Sequence, residues 1–108
     1  MNLAIHTLQL ASRESLSAEY ASTLLAYGGQ LVDIRSPADF QRGALPGARN
    51  LPIDALCYDF RQLDKHEPVI LCGNHGVACV RAARLLAGKG FERIYFLMLS
   101  RMSNAYAA

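Results

Sequence analysis

Cys72 and Cys79 bracket the stretch Gly73-Asn74-His75-Gly76-Val77-Ala78. Before it runs Val69-Ile70-Leu71, a short β-branched apolar segment suited to a buried strand. After it, from Val80, comes Val-Arg-Ala-Ala-Arg-Leu-Leu-Ala, a strong helix former. A strand, a glycine-containing loop and a helix in that order aim backbone N–H groups and the positive end of a helix dipole at one point. A thiol at the strand end would sit in that field, which favours the thiolate. Cys72 stands at the strand end and Cys79 near the helix start, so thiol chemistry is expected here.

The elements that must position this loop can be read on either side of it. Ser17 reads as an N-cap, Glu19 lies in the first turn and Gly28-Gly29 follow, which predicts a helix over about 18–27. Gln30-Leu31-Val32-Asp33-Ile34-Arg35 is an apolar strand ending in a charged pair. A buried Asp33 needs hydrogen-bond donors, and bracing neighbouring loop amides is its simpler role. Ser36-Pro37-Ala38-Asp39 opens a short helix that Gly43 stops, and Arg49 to Pro52 reads as a very short strand. Apolar residues at 53, 56, 57, 60 and 63 have helical spacing, which would bury Cys57 with Leu56 and Phe60. Asp64 to Pro68 is a polar turn that leaves His66 in solvent. Gly88-Lys89-Gly90 ends the central helix, Ile94 to Leu97 is a further strand, and a short helix is expected to close the chain after Met98. Alternating helices and strands predict a parallel sheet covered on both faces.

Composition bounds the rest. The 108 residues, 52% hydrophobic and 19% charged, suit a single domain spanning 1–108. A net charge of +2 from scattered basic residues gives no reason to expect a nucleic-acid partner. Three cysteines with no C-x-x-C pair fit neither a disulfide framework nor a zinc site, and they point to reduced thiols in the cytoplasm. The first ten residues lack the basic start and long apolar core of a leader. The longest apolar run, Ile94 to Leu99, is too short for a bilayer, so no membrane partner is expected. No dinucleotide or P-loop pattern and no metal cluster is present in the sequence, and no cofactor is expected.

Three ordered blocks resemble the rhodanese-homology family. They are Leu31-Val-Asp33-Ile-Arg35-Ser-Pro-Ala-Asp39-Phe, then Gly43-Ala-Leu-Pro46-Gly47-Ala48-Arg-Asn-Leu-Pro52, then the strand–loop–helix stretch followed by Gly90-Phe91 and the strand Ile94 to Leu97. The resemblance implies a rhodanese-like open parallel sheet of about five short strands with helices on both faces. It also implies sulfane-sulfur transfer through a cysteine persulfide, serving a small sulfur-donor anion and an acceptor thiol or protein. The family's loop reads Cys-x-x-Gly-x-(Arg or Ser)-Ser before a helix containing Ala-Ala. Anchored on Gly76 with Ala82-Ala83, or on Pro68, that pattern puts Gly73 in the nucleophile's place, Ala78 in the Arg/Ser place and Cys79 in the serine's. A strand ending one residue early would instead make Cys72 the nucleophile of a longer loop. That length resembles the dual-specificity phosphatases, but Ala78 stands where their phosphate-gripping arginine would be. Ala44 replaces a histidine found in many relatives, and the Gly-Gly and Trp usual after the last strand are missing.

Three functions therefore compete. The first is a sulfurtransferase or sulfur carrier using Cys72, with the amides of residues 73–78 cradling the persulfide, His75 as a possible donor, and Asp33, Arg35 and Arg81 in support. The second is a catalytically inactive binding or regulatory module, because Gly73 holds the nucleophile's place. The third is a redox switch pairing Cys72 with Cys79, against which Cys79 is more simply a small buried residue.

Overall fold

A computed structural model describes residues 16–99. The elements run α1 (Ala18–Ala26), β1 (Gln30–Asp33), α2 (Pro37–Arg42), β2 (Arg49–Asn50), α3 (Leu56–Asp59) between two 3-10 turns (Ile53–Ala55 and Phe60–Gln62), β3 (Val69–Gly73), α4 (Gly76–Gly88) and β4 (Ile94–Met98). The leader and closing-helix expectations fall on residues outside this range.

The capping residues act as their types dictate. The Ser17 hydroxyl accepts from the Tyr20 N–H at 3.1 Å, and that of Ser36 accepts from the Asp39 N–H at 3.2 Å. Pro37 occupies the first turn of α2, where its missing N–H costs nothing. At the end of α1, Gly28 takes a left-handed φ of +98°, and the Gly29 N–H returns to the Leu24 carbonyl at 2.8 Å.

The four described strands lie in the order β2-β1-β3-β4, and every pairing is parallel. Sequence reading expects about five strands. At the outer edge of β4, the Leu16 N–H donates to the Phe96 carbonyl at 2.8 Å. The strand order reverses between β1 and β3. Connections leave those two strands in opposite directions, and open α/β sheets place their ligands in a crevice at the carboxyl ends of such a switch point.

Alternation along the strands builds two cores. Val32, Val69, Leu71, Ile94 and Phe96 face Cys79, Ala82, Ala83 and Leu86 of α4, together with Leu56 and Leu63. Leu31, Ile70, Cys72 and Leu97 face the other way, with Ala21, Leu24 and Leu25 of α1. Helices therefore cover both faces, as the alternation predicts.

The segment after β2 departs from the expected continuous helix. It winds as 3-10, α and 3-10 turns in succession. A 3-10 turn advances about 120° per residue against about 100° in an α-helix. The facing side chains change accordingly: Leu56 and Leu63 are buried, and Cys57 is exposed rather than in the core.

Candidate active site

The carboxyl ends of β1 and β3 form the centre of the site. Asp33, Cys72 and Leu97 stand side by side in register across β1, β3 and β4 on the α1 face. Asp33 is 1% exposed. Its Oδ1 accepts from the Arg35 backbone N–H at 2.9 Å, and the Arg35 guanidinium engages both carboxylate oxygens at 2.8–3.1 Å. Arg35 Nη2 also donates to the Gly43 carbonyl at 2.7 Å, tying the end of α2 to the end of β1. Asp33 has the bracing role expected for a buried carboxylate. Asn50 was missed by sequence reading. Its side-chain amide donates to the carbonyls of both Asp33 and Arg35 at 3.0 Å, locking β2 to the bend after β1. The available signal was a lone amide in a strand two residues long.

β3 does not end early. It runs through Gly73, which pairs with Met98 of β4, so the longer loop that would turn Cys72 toward the crevice is not formed. Cys72 is buried on the α1 face among Ala21, Leu31, Ile70 and Leu97. Burial pushes its thiol strongly up, and the Asp33 carboxylate adds to the shift. The thiolate-favouring field expected at this atom is outweighed by desolvation.

Gly73 lies on the α4 face. A Cβ built on it would stand 3.0 Å from Cys79 Sγ and 3.4 Å from Ile34 Cγ1. Cys79 comes from the first turn of α4, not from a loop, because the helix begins at Gly76 rather than Val80. Only Asn74 and His75 connect strand to helix. His75 occupies the cap position without a side-chain capping bond to the first-turn N–H groups. His75, Gly76 and Val77 are exposed, while Asn74 and Ala78 are half-buried. Arg81 is exposed on the outer side of α4 and forms no ion pair among the described residues. Cys72 lies on the α1 side of β3 and Cys79 packs on its α4 side, and both are free thiols. Among the described residues no three His, Cys, Asp or Glu side chains converge as a metal site would require.

Cys79 is fully buried, and desolvation, followed by the Asp33 charge, pushes its thiol from 9.0 up to about 11. The folded state thus holds this proton more tightly than the unfolded chain does. Its contribution to stability is complete below pH 9.0 and is lost as pH rises towards about 11. Cys72 acts in the same direction. Urea midpoints are therefore expected to fall steeply above pH 9.0 in the wild type, and less steeply in Cys79→Ala. Parallel curves for the two proteins would refute the assignment.

A four-stranded parallel sheet covered by helices on both faces, with a two-residue turn from β3 into α4, places the chain among open α/β folds. The sequence matches the Rhodanese-like domain family over residues 17–100, and the chain belongs to that family. It is 35% identical over 82 residues to the thiosulfate sulfurtransferase GlpE of Ectopseudomonas mendocina, covering 76% of this chain and 75% of that protein. It is also 37% identical over 68 residues to the uncharacterised protein YqhL of Bacillus subtilis, covering 63% and 54% of the two chains. Among solved structures, the rhodanese-related protein of Thermoplasma volcanium superposes with a TM-score of 0.70 at 20% identity, covering 86% of this chain and 94% of that one. A rhodanese from E. coli, solved with anions, gives 0.59 at 22% identity over 64% and 84% of the two chains.

Proposed function

We propose that this chain transfers sulfane sulfur through a cysteine persulfide formed where β3 meets α4. The observation that carries the reading is the convergence of a thiol, Cys79 Sγ, and the uncapped first turn of α4 on the side-chain-free Gly73. Backbone N–H groups at a helix start stabilise the negative charge of an incoming anion and of a persulfide sulfur. Kinship with thiosulfate sulfurtransferases supports thiosulfate or a similar anion as donor. The acceptor is a small thiol, cyanide in the test tube, or a partner protein's cysteine. Asp33, Arg35 and Asn50 fix the β1 side of the crevice, and Arg81 adds positive charge on α4. Three free cysteines fit a reducing compartment, which supports a cytoplasmic setting. No helix among the described residues is long and apolar enough to cross a membrane.

A second reading is favoured by a specific observation. Gly73 holds the place where the family carries its nucleophile, and Cys72 faces away from it. That arrangement suits a binding or regulatory module with no turnover. Thiocyanate production from thiosulfate and cyanide separates the two readings. The wild type is expected to produce it, and a chain with Cys57, Cys72 and Cys79 all changed to Ser is expected to produce none. A folded wild type with no more activity than that variant would establish the silent module.

A further inference from the structure

We propose that the sulfur-carrying residue is Cys79, delivered from α4 into the space that a side chain at position 73 would fill. The inference rests on the persulfide reading above and assigns its atom. Two thiols lie near the crevice, and the fold treats them differently. Cys72 sits in a strand paired on both sides, in register with Asp33 and Leu97, and its carbonyl accepts the Ile34 N–H at 3.0 Å. Exposing it means pulling a central strand out of the sheet, an opening near the global unfolding cost.

Cys79 is as deeply buried as Cys72, but one helical turn holds it where two paired strands hold Cys72. Cys79 lies at the end of a first turn that opens with glycine and has no side-chain cap, and its own N–H reaches the His75 carbonyl at 3.3 Å. Gly76 and Val77 ahead of it are exposed. Opening that one turn costs the packing of Cys79 on the core but leaves the sheet intact, so it costs less than withdrawing a central strand. It would uncover Cys79 Sγ, which already faces Gly73. The absence of a side chain at 73 then has a use. A Cβ there would stand 3.0 Å from the sulfur, a contact tight enough to displace it.

The chemistry needs no external oxidant. The Cys79 thiol gives its proton to water, and the thiolate attacks the outer sulfur of thiosulfate. A bond forms between Sγ and that sulfur as the sulfur–sulfur bond of thiosulfate breaks, and sulfite leaves with the electron pair. Cyanide then attacks the terminal sulfur of the persulfide. Thiocyanate departs and the electron pair returns to Cys79 Sγ.

The test is peptide mass mapping of the full chain after thiosulfate treatment, with fragmentation to place the added sulfur. Sulfur is expected on Cys79, and turnover is expected to fall about a hundredfold or more in Cys79→Ser. The mapping uses the wild type, so a folding defect in the variant would not obscure the answer. Sulfur located on Cys72 or Cys57 overturns the assignment while leaving persulfide transfer standing. No sulfur on any cysteine, together with no thiocyanate, overturns both.

Discussion

Moving the thiol from helix to strand, as Gly73→Cys combined with Cys79→Ser, is expected to raise thiosulfate turnover by about tenfold or more. Every 1.4 kcal/mol of opening no longer needed before attack is worth about a factor of ten in rate. Position 73 accepts a side chain conformationally, since its φ lies outside the left-handed range in which three other glycines sit. The obstacle is steric: the new Cβ meets Cys79 Sγ at 3.0 Å, with Ile34 Cγ1 at 3.4 Å. A serine hydroxyl is smaller than a thiol and relieves the tighter contact. The pair of changes also recreates the family's spacing, a cysteine at the strand end and a serine six residues on. Gly73→Cys alone has the opposite expected outcome, because two thiols that close invite a cross-link and leave no free nucleophile. Thiocyanate assays of the wild type, the single variant and the double variant check this directly. A folded double variant no faster than the wild type would show that opening of α4 does not limit the reaction.

The second large effect is on stability. Asp33→Ala is expected to cost about 3–5 kcal/mol, because it removes the carboxylate that compensates the charge of the nearly buried Arg35 guanidinium. Side-chain exposures of 8% for Arg35 and 1% for Asp33 leave little solvent to compensate. The damage should also reach the site, since the same arginine holds the Gly43 carbonyl. Urea denaturation measures the loss. Adding Arg35→Met to Asp33→Ala should recover part of it, since no uncompensated charge then remains. A loss below about 1 kcal/mol would place this pair among exposed ion pairs and remove it as the brace of β1.

Local chemistry made much of the fold legible. Ser17, Ser36, Pro37, Gly28 and Gly43 punctuate the chain as their conformational preferences require, and the β-branched runs form β1 and β3. What stayed hidden depends on partners distant in sequence. β3 extends through Gly73 because β4 supplies Met98 beside it, and no local propensity for glycine predicts that. Gly76-Val77-Ala78 reads as loop because glycine disfavours a helix interior. In a first turn that penalty matters less, and packing of Cys79, Ala82, Ala83 and Leu86 on the sheet draws the helix start forward. A single helical period puts Cys57 in the core, and the intervening 3-10 turns break that period.

The site was legible as a place more than as a set of roles. The family pattern located the β3–α4 connection and assigned Gly73 to the nucleophile's position, and the strand's alternation turned Cys72 the other way. The approach of Cys79 Sγ to Gly73 depends on how α4 is rotated over the sheet, which the positions of Ala82, Ala83 and Leu86 determine together.

The most direct measurement is single-turnover release of sulfite from thiosulfate with no acceptor present. A persulfide mechanism predicts a burst approaching one sulfite per chain, absent when all three cysteines are serine. A wild type that releases none, with its fold intact, would contradict sulfur transfer at this site and leave a rhodanese-like module that binds without reacting.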